Sequence, residues 1–181
     1  MKALTPADLL KLVHDDLAEY ASATGARLVM APDPLLPLEM LLDGPAGLLI
    51  ALHWAGEDLA DEQVGDLVVV QHRLVATVGH KLPPTAKPNV GLMEAQGGRE
   101  ALLARVAGVR DRIFSLLMPE DVTERQWRYA GTEPVELGGN PLAAYRISFE
   151  LNAAITCDAA REAVWEEPED LEPTPADEQE G

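Results

Sequence analysis

The chain carries one cysteine, Cys157, in 181 residues. That excludes an intramolecular disulfide and any multi-cysteine metal site, and leaves Cys157 as a small, buried or half-buried residue near a strand end. Aromatic residues are also scarce, at 4% of the sequence. Positive charge is short as well: 14 Lys and Arg stand against 31 Asp and Glu, a formal net charge of −17. A protein that wraps duplex DNA by neutralising phosphates needs clustered Lys and Arg, so that class is excluded. A surface past which DNA slides without sticking stays compatible. No apolar run approaches the ~20 residues needed to cross a bilayer. The first residues, MKALTPADLLKLVHDDL, lack an uninterrupted apolar stretch of the signal-peptide kind. The expected location is therefore the cytoplasm, or a particle assembled there.

What is present is a chain that is 47% hydrophobic, with mean hydropathy near zero. That is enough for one well-buried domain. The charge is unevenly spread, since residues 162–181 hold nine acids and no Lys or Arg. The expected organisation is a single domain over 1–160 and an acidic tail over 161–181. In the tail acids and prolines leave almost nothing to bury, so it is expected to be disordered.

The clearest element is PLAAYRISFELNAAI, Pro141 to Ile155. Ala143, Tyr145, Ile147, Phe149, Leu151, Ala153 and Ile155 alternate with Ala144, Arg146, Ser148, Glu150 and Asn152, which predicts a long strand with one dry and one wet face. Two of the few aromatics lie on the dry side, so it is the expected centre of the core. Upstream, Thr5-Pro6-Ala7-Asp8 reads as a helix start, and Leu9, Leu10, Val13, Leu17 and Tyr20 or Ala21 recur at helical spacing up to Gly25. A short strand is expected near Arg27 to Met30. Prolines then argue for an irregular apolar segment at Leu35 to Leu42, either covering the core or meeting another subunit.

LLIALHW (48–54) and LVVVQHRLVATVGH (67–80) read as strands, the second inside the sheet, with the acidic link AGEDLADEQVGD between them. Lys81 to Gly91, with three prolines, predicts an extended, solvent-facing arm. A second helix is expected over Gly98 to Leu117. Its stripe is Leu102, Leu103, Val106, Val109, Ile113 and Leu116 or Leu117, and its wet side is Arg99, Glu100, Arg105, Arg110, Asp111 and Arg112. Gln126 to Ala130 reads as a strand, and Gly131 to Pro141 as a turn region. The order predicts an α+β domain: an antiparallel or mixed central sheet packed by two main helices.

Constellations for chemistry are weak. His14, His53, His72 and His80 match no compact ligand spacing. His53 and His72 could face each other across the sheet, but a structural or interface role is the preferred reading. Asp15, Asp16, Asp58, Asp61, Glu62 and Asp66 sit in wet stretches that would not tune carboxylates for catalysis. Ser22, Ser115 and Ser148 lack a nucleophile elbow, Cys157 has no sign of an activated thiolate, and GGR at 97–99 is better explained as a helix cap than as a phosphate loop. No catalytic residue, cofactor or metal is expected. Arg99, Arg105, Arg110 and Arg112 could dock an acidic neighbour, another copy included.

Four stretches together resemble the tail terminator family of long-tailed bacteriophages, also described as lambda-type minor tail or tail completion proteins. They are the N-terminal helix, VVVQHRLVATVGH, REALLARVAGVRDRIFSLL, and WRYAGTEPVELGGNPLAAYRISFELNAAI. The resemblance spans roughly residues 5–157 in order and spacing; its motifs are patterns rather than chemical residues, and the acidic tail and the Leu/Pro-rich 32–45 segment depart from it.

The family implies an α+β subunit of a hexameric ring that caps the tail tube, stops its polymerisation and joins head-completion proteins in the neck of the virion. DNA would pass through the ring without sequence-specific binding, and no membrane is involved. Candidate subunit or lumen contacts are Arg99, Arg105, Arg110, Arg112, Arg146, Glu150, Asn152, Lys81 and Lys87. The competing readings are another head-tail adaptor, tube or baseplate protein, a small acidic adaptor or inhibitor, and, third, an enzyme, for which no convergent site speaks.

Overall fold

A computed structural model describes residues 5–33, 35–43, 47–60, 67–81, 102–119, 124–135 and 142–156. Helix α1, Pro6–Thr24, starts as its sequence predicts. The Thr5 hydroxyl accepts from the Asp8 N–H, while the Asp8 carboxylate accepts from the Thr5 N–H, a reciprocal capping box. It stops at Gly25, whose φ of 67° is the left-handed conformation glycine adopts without steric cost, with the N–H of Ala26 returning to the Ala21 carbonyl. Leu9, Val13, Leu17 and Ala21 form its buried stripe. Each of the three larger ones contributes about 1.5–3 kcal/mol by leaving water.

Five strands form one mixed sheet in the order β1-β2-β3-β5-β4. They are β1 Arg27–Ala31, β2 Gly47–Leu59, β3 Leu67–Lys81, β4 Arg128–Pro134 and β5 Leu142–Thr156. β1 runs parallel to β2 and every other pair is antiparallel. The long strand expected around Pro141 to Ile155 is β5, and it pairs with β3 from Leu67↔Thr156 to Lys81↔Leu142. Helices α1 and α3, Leu102–Ser115, cover one face. There Ile50, Leu52, Leu74, Ala76, Val78, Ile147, Phe149 and Leu151 meet Leu9, Val13, Leu17, Val106, Val109 and Ile113 in the main core.

Several expectations are corrected. Leu35 to Leu42 is not irregular: helix α2, Leu36–Asp43, occupies it. The Asp33 carboxylate accepts from the N–H of Leu35 (2.7 Å) and of Leu36 (3.0 Å), which caps the start. Pro37 falls in the first turn, where a missing N–H costs nothing. α2 packs Leu36, Leu38 and Met40 on the second face of the sheet, against the small residues Ala31, Ala51 and Ala144 and against Leu49. The expected α+β domain, a mixed sheet packed by two main helices, α1 and α3, is thus what the structure shows, with the short α2 added on the second face.

β2 extends through Glu57 and Asp58, taking part of the expected acidic link into the ladder across a bulge at Trp54/Gly56. β4 likewise takes up Gly131 to Pro134, read from sequence as turn. On α3, Leu103 is 41% exposed while Arg105 is buried, the reverse of their expected sides. The helix is rotated so that 102, 105, 106, 109 and 113 face the core. The arm beyond Lys81, the first residues of the expected second helix, Cys157 and the acidic tail lie outside the described residues.

Candidate interaction surface

The expected site residues are not gathered in one place. His53 lies on the α2 side of β2, its Nδ1 3.2 Å from the Ala31 carbonyl oxygen. His72 lies on the opposite face with Trp54, their ring centroids 5.0 Å apart. The two histidines therefore do not face each other. His72 is buried, and its Nδ1 sits 3.2 Å from the Glu57 carboxylate without the alignment of a hydrogen bond. Burial pushes its pKa below 6.5, only partly opposed by Glu57. Among the described residues, no group of three or more His, Cys, Asp or Glu could hold a metal ion. Asp58 is paired with Arg73 at 3.1 Å. Asp15 is held below the usual carboxylate range by its hydrogen bond from Lys11.

The arginines of α3 separate in space. Arg112 lies over the Tyr20 ring, 5.8 Å from its centroid, on the flank that meets α1. Arg110 lies 5.9 Å from the Tyr129 centroid on the opposite flank, toward β4, and also pairs with Asp111 at 2.7 Å. Arg105 is buried, so this one cannot be an outward contact. Lys81 ends β3, half-buried, and Arg146 is half-buried on β5. Arg99 and Lys87 lie outside the described residues.

The wet face of β5 is organised instead. Gln71 Nε2 donates to Glu150 at 3.4 Å, Arg128 approaches Glu150 at 3.8 Å, and Arg128 donates to the Asn152 side chain at 3.4 Å. Glu124 closes the clasp: its carboxylate accepts from the Asn152 main-chain N–H at 2.9 Å and from the Asn152 amide at 3.1 Å, and it lies 3.4 Å from Arg128. Such charge-assisted bonds fix the segment before β4 against the central strands.

Beside this clasp the end of α3 and residues 124–128 enclose a solvent-open groove of about 480 Å³. Phe114, Leu117 and Trp127 supply its apolar lining, and Glu124, Arg125 and Arg128 its polar one. Phe114 is 50% and Leu117 62% exposed, and Tyr129, also on the α3 flank, is 45% exposed. Sequence reasoning missed this surface. Its signal was present, because Leu103 and Phe114 lie three helical turns apart and form a second apolar stripe offset from the core stripe.

No protein-family model matches this chain, and no curated protein matches it. Among solved structures it is similar to a chain of the virion of a native gene transfer agent particle. The TM-score is 0.51 at 16% identity, and the match covers 79% of this chain and 92% of that one. The two share a fold over nearly the whole of that neighbour. A match to the catalytic domain of histidine kinase ThkA, at TM-score 0.28, 10% identity and coverages of 82% and 93%, carries no argument.

Proposed function

We propose that the chain is a structural subunit of a phage-type virion particle, and within that class a tail-terminator subunit. In this role a ring of copies, hexameric in the family, caps the tail tube and stops its growth. The ring joins the tail to head-completion proteins in the neck and lets DNA through its centre. The observation that supports a virion role is the fold shared with a chain of a gene transfer agent virion over 92% of that chain. The terminator assignment rests on the order and spacing of the stretches named above. No catalysis, cofactor or membrane enters the reading.

The physics of the surface agrees. A net charge of −17 disfavours trapping of a phosphate backbone in a lumen. The β4 edge is poorly suited to strand addition, because it carries a bulge at Tyr129/Gly131, charged Arg128 and Glu133, and Pro134. On the β4 side of the sheet, subunits are therefore expected to meet through side-chain faces. Among the described residues, the clasp of Arg128, Glu150 and Asn152 and the apolar flank of α3 are organised faces that qualify. Negative-stain microscopy of the purified protein, alone and mixed with tail tubes, tests the proposal. Rings on tube ends are expected. A protein that stays monomeric at high concentration and leaves tubes uncapped would refute it.

A further inference from the structure

Seven large hydrophobic side chains are exposed among the described residues, and six of them stand at the two ends of the sheet. Leu103, Phe114, Leu117 and Tyr129 form the α3–β4 flank, where Phe114 and Tyr129 alone leave about 100 Å² each in water. Met30, on the edge strand β1, is 51% exposed, and Leu35, four residues after β1 ends, is 61% exposed. The strand order β1-β2-β3-β5-β4 sets the two regions on opposite edges, about 19 Å apart at a spacing of roughly 4.8 Å per strand. One copy therefore cannot close its own patches on each other.

The two edges are guarded differently. β4 carries a bulge, charges and Pro134, whereas β1 pairs with β2 without a bulge and its sequence RLVMA holds no proline. Its one charge is Arg27, whose guanidinium donates to the Met40 carbonyl at 3.3 Å. Among the described residues no strand pairs with the outer edge of β1. Charge then selects the occupant. Copies of a chain at −17 repel each other over most of their surface, and meet at least cost where charge is balanced. β1 beyond Arg27 is uncharged, and on the α3 flank Arg110 pairs with Asp111 and Arg128 with Glu124.

We propose that copies of this chain associate head to tail, the β1 edge of one lying along the α3–β4 flank of the next. Met30 and Leu35 pack against Phe114 and Leu117 of the neighbour. The open main-chain groups of β1 meet Gln126, an exposed side chain on the groove rim that both donates and accepts. A contact between two different faces leaves one of each kind open on every pair. It therefore propagates, and closes into a ring when the rotation between copies divides a full turn. The inference deepens the ring reading given above and rests on it for closure alone, since the pairing of faces needs no tail tube.

The test uses the full chain in analytical ultracentrifugation. The parent should associate beyond a dimer at concentrations up to about 100 µM, since interfaces of modest area bind in the micromolar range. Met30→Asp and Phe114→Asp should each raise the dissociation constant about 30-fold or more by forcing a carboxylate into the contact. Both side chains are half-exposed, so thermal midpoints should stay near the parent's; Leu117→Asp, at a still more exposed position, replaces Phe114→Asp if that midpoint falls. The decisive sample is an equal mixture of the two variants. The intact flank of one meets the intact β1 edge of the other, so a 1:1 dimer should form and nothing larger. A mixture that stays monomeric overturns the inference, as does a monomeric parent or a variant at either edge that assembles like the parent. Head-to-tail association that leaves tail tubes uncapped counts against the terminator reading alone, whereas rings on tube ends formed equally by both variants overturn the inference and leave that reading intact.

Discussion

Replacing Gly108 tests how α1 and α3 are held together. On an exposed helix face Gly→Ala is stabilising by roughly 1 kcal/mol, because alanine loses less backbone entropy. Here the opposite is expected. A Cβ at Gly108 would fall on the Tyr20 hydroxyl oxygen, and lie 3.0 Å from Cζ and 3.3 Å from Cε2 of the same ring. The ring is rigid beyond χ2, so it must swing as a unit and give up its place under Arg112. Overpacking of this kind costs about 1–3 kcal/mol, and a lost cation–π contact about 0.5–1 kcal/mol more. Set against the gain in propensity, Gly108→Ala should destabilise the protein by about 1–2 kcal/mol, or about 2–8 °C in Tm for a chain of this size.

The second half of the cycle is Tyr20→Phe. The Tyr20 hydroxyl is buried without a hydrogen-bond partner among the described residues, so its removal should be neutral or slightly stabilising. In the double variant the closest clash is gone, and much of the Gly108→Ala penalty should disappear, a coupling of about 0.5–3 kcal/mol. Urea unfolding followed by circular dichroism reads all four proteins, with unchanged m-values as the check on two-state behaviour. If Gly108→Ala instead raises the midpoint, and the two substitutions add, the close approach of the helices is refuted.

Three further outcomes follow from the same contacts. Phe149→Ala, at a fully buried position beneath the helices, should cost about 3–5 kcal/mol in denaturant midpoints, well above Tyr129→Ala on the exposed edge strand. Thr5→Ala removes the capping hydroxyl and should cost about 1 kcal/mol, with a loss near zero counting against the capping box. His72 has its folded pKa lowered by burial, so between that value and about 6.5 the unfolded chain binds more protons. Its contribution is therefore intact above pH 6.5 and lost as pH falls toward the folded value. Thermal midpoints measured from pH 7.5 to 5.5 should fall less in His72→Leu than in the parent, and equal slopes would contradict the assignment.

Much of the fold was legible because its determinants are local. Thr5, Pro6, Asp8 and Gly25 bound α1 through contacts within one turn, and the alternation from Ala143 to Ala153 survives in β5 because period two is imposed by the strand itself. α2 was misread because proline was counted as a breaker without regard to position. Pro37 in the first turn, with Asp33 already capping it, is compatible with a helix that the apolar Leu36, Leu38 and Met40 then dock. Glu57, Asp58 and Gly131 to Pro134 joined strands despite unfavourable propensity, since pairing with β3 and β5 outweighs the local preference, which is weak for strands.

The surface was less legible because interaction faces are made by what the core leaves out. The apolar positions of α3 exceed what one stripe holds, and only the rotation of the helix on the sheet decides which are left outside. With 102, 105, 106, 109 and 113 turned inward, Leu103 and Phe114 are forced onto the β4 flank, and Arg105 is drawn under the helix. The same rotation sends Arg110 to Tyr129 and Arg112 to Tyr20, dividing a cluster that looks continuous in sequence. On β5 Arg146, Ser148, Glu150 and Asn152 lie on the face away from the main core as expected, but Ala144, read as wet, is buried under α2, and Glu150 and Asn152 are engaged by Arg128, Glu124 and Gln71 of the same chain. A contact that used them would have to replace charge-assisted bonds already made, whereas Phe114 and Leu117 gain by burial without losing any polar partner. The apolar flank of α3 is therefore the surface on which binding gives the greater net stabilisation, and the clasp is the frame that holds its rim in place.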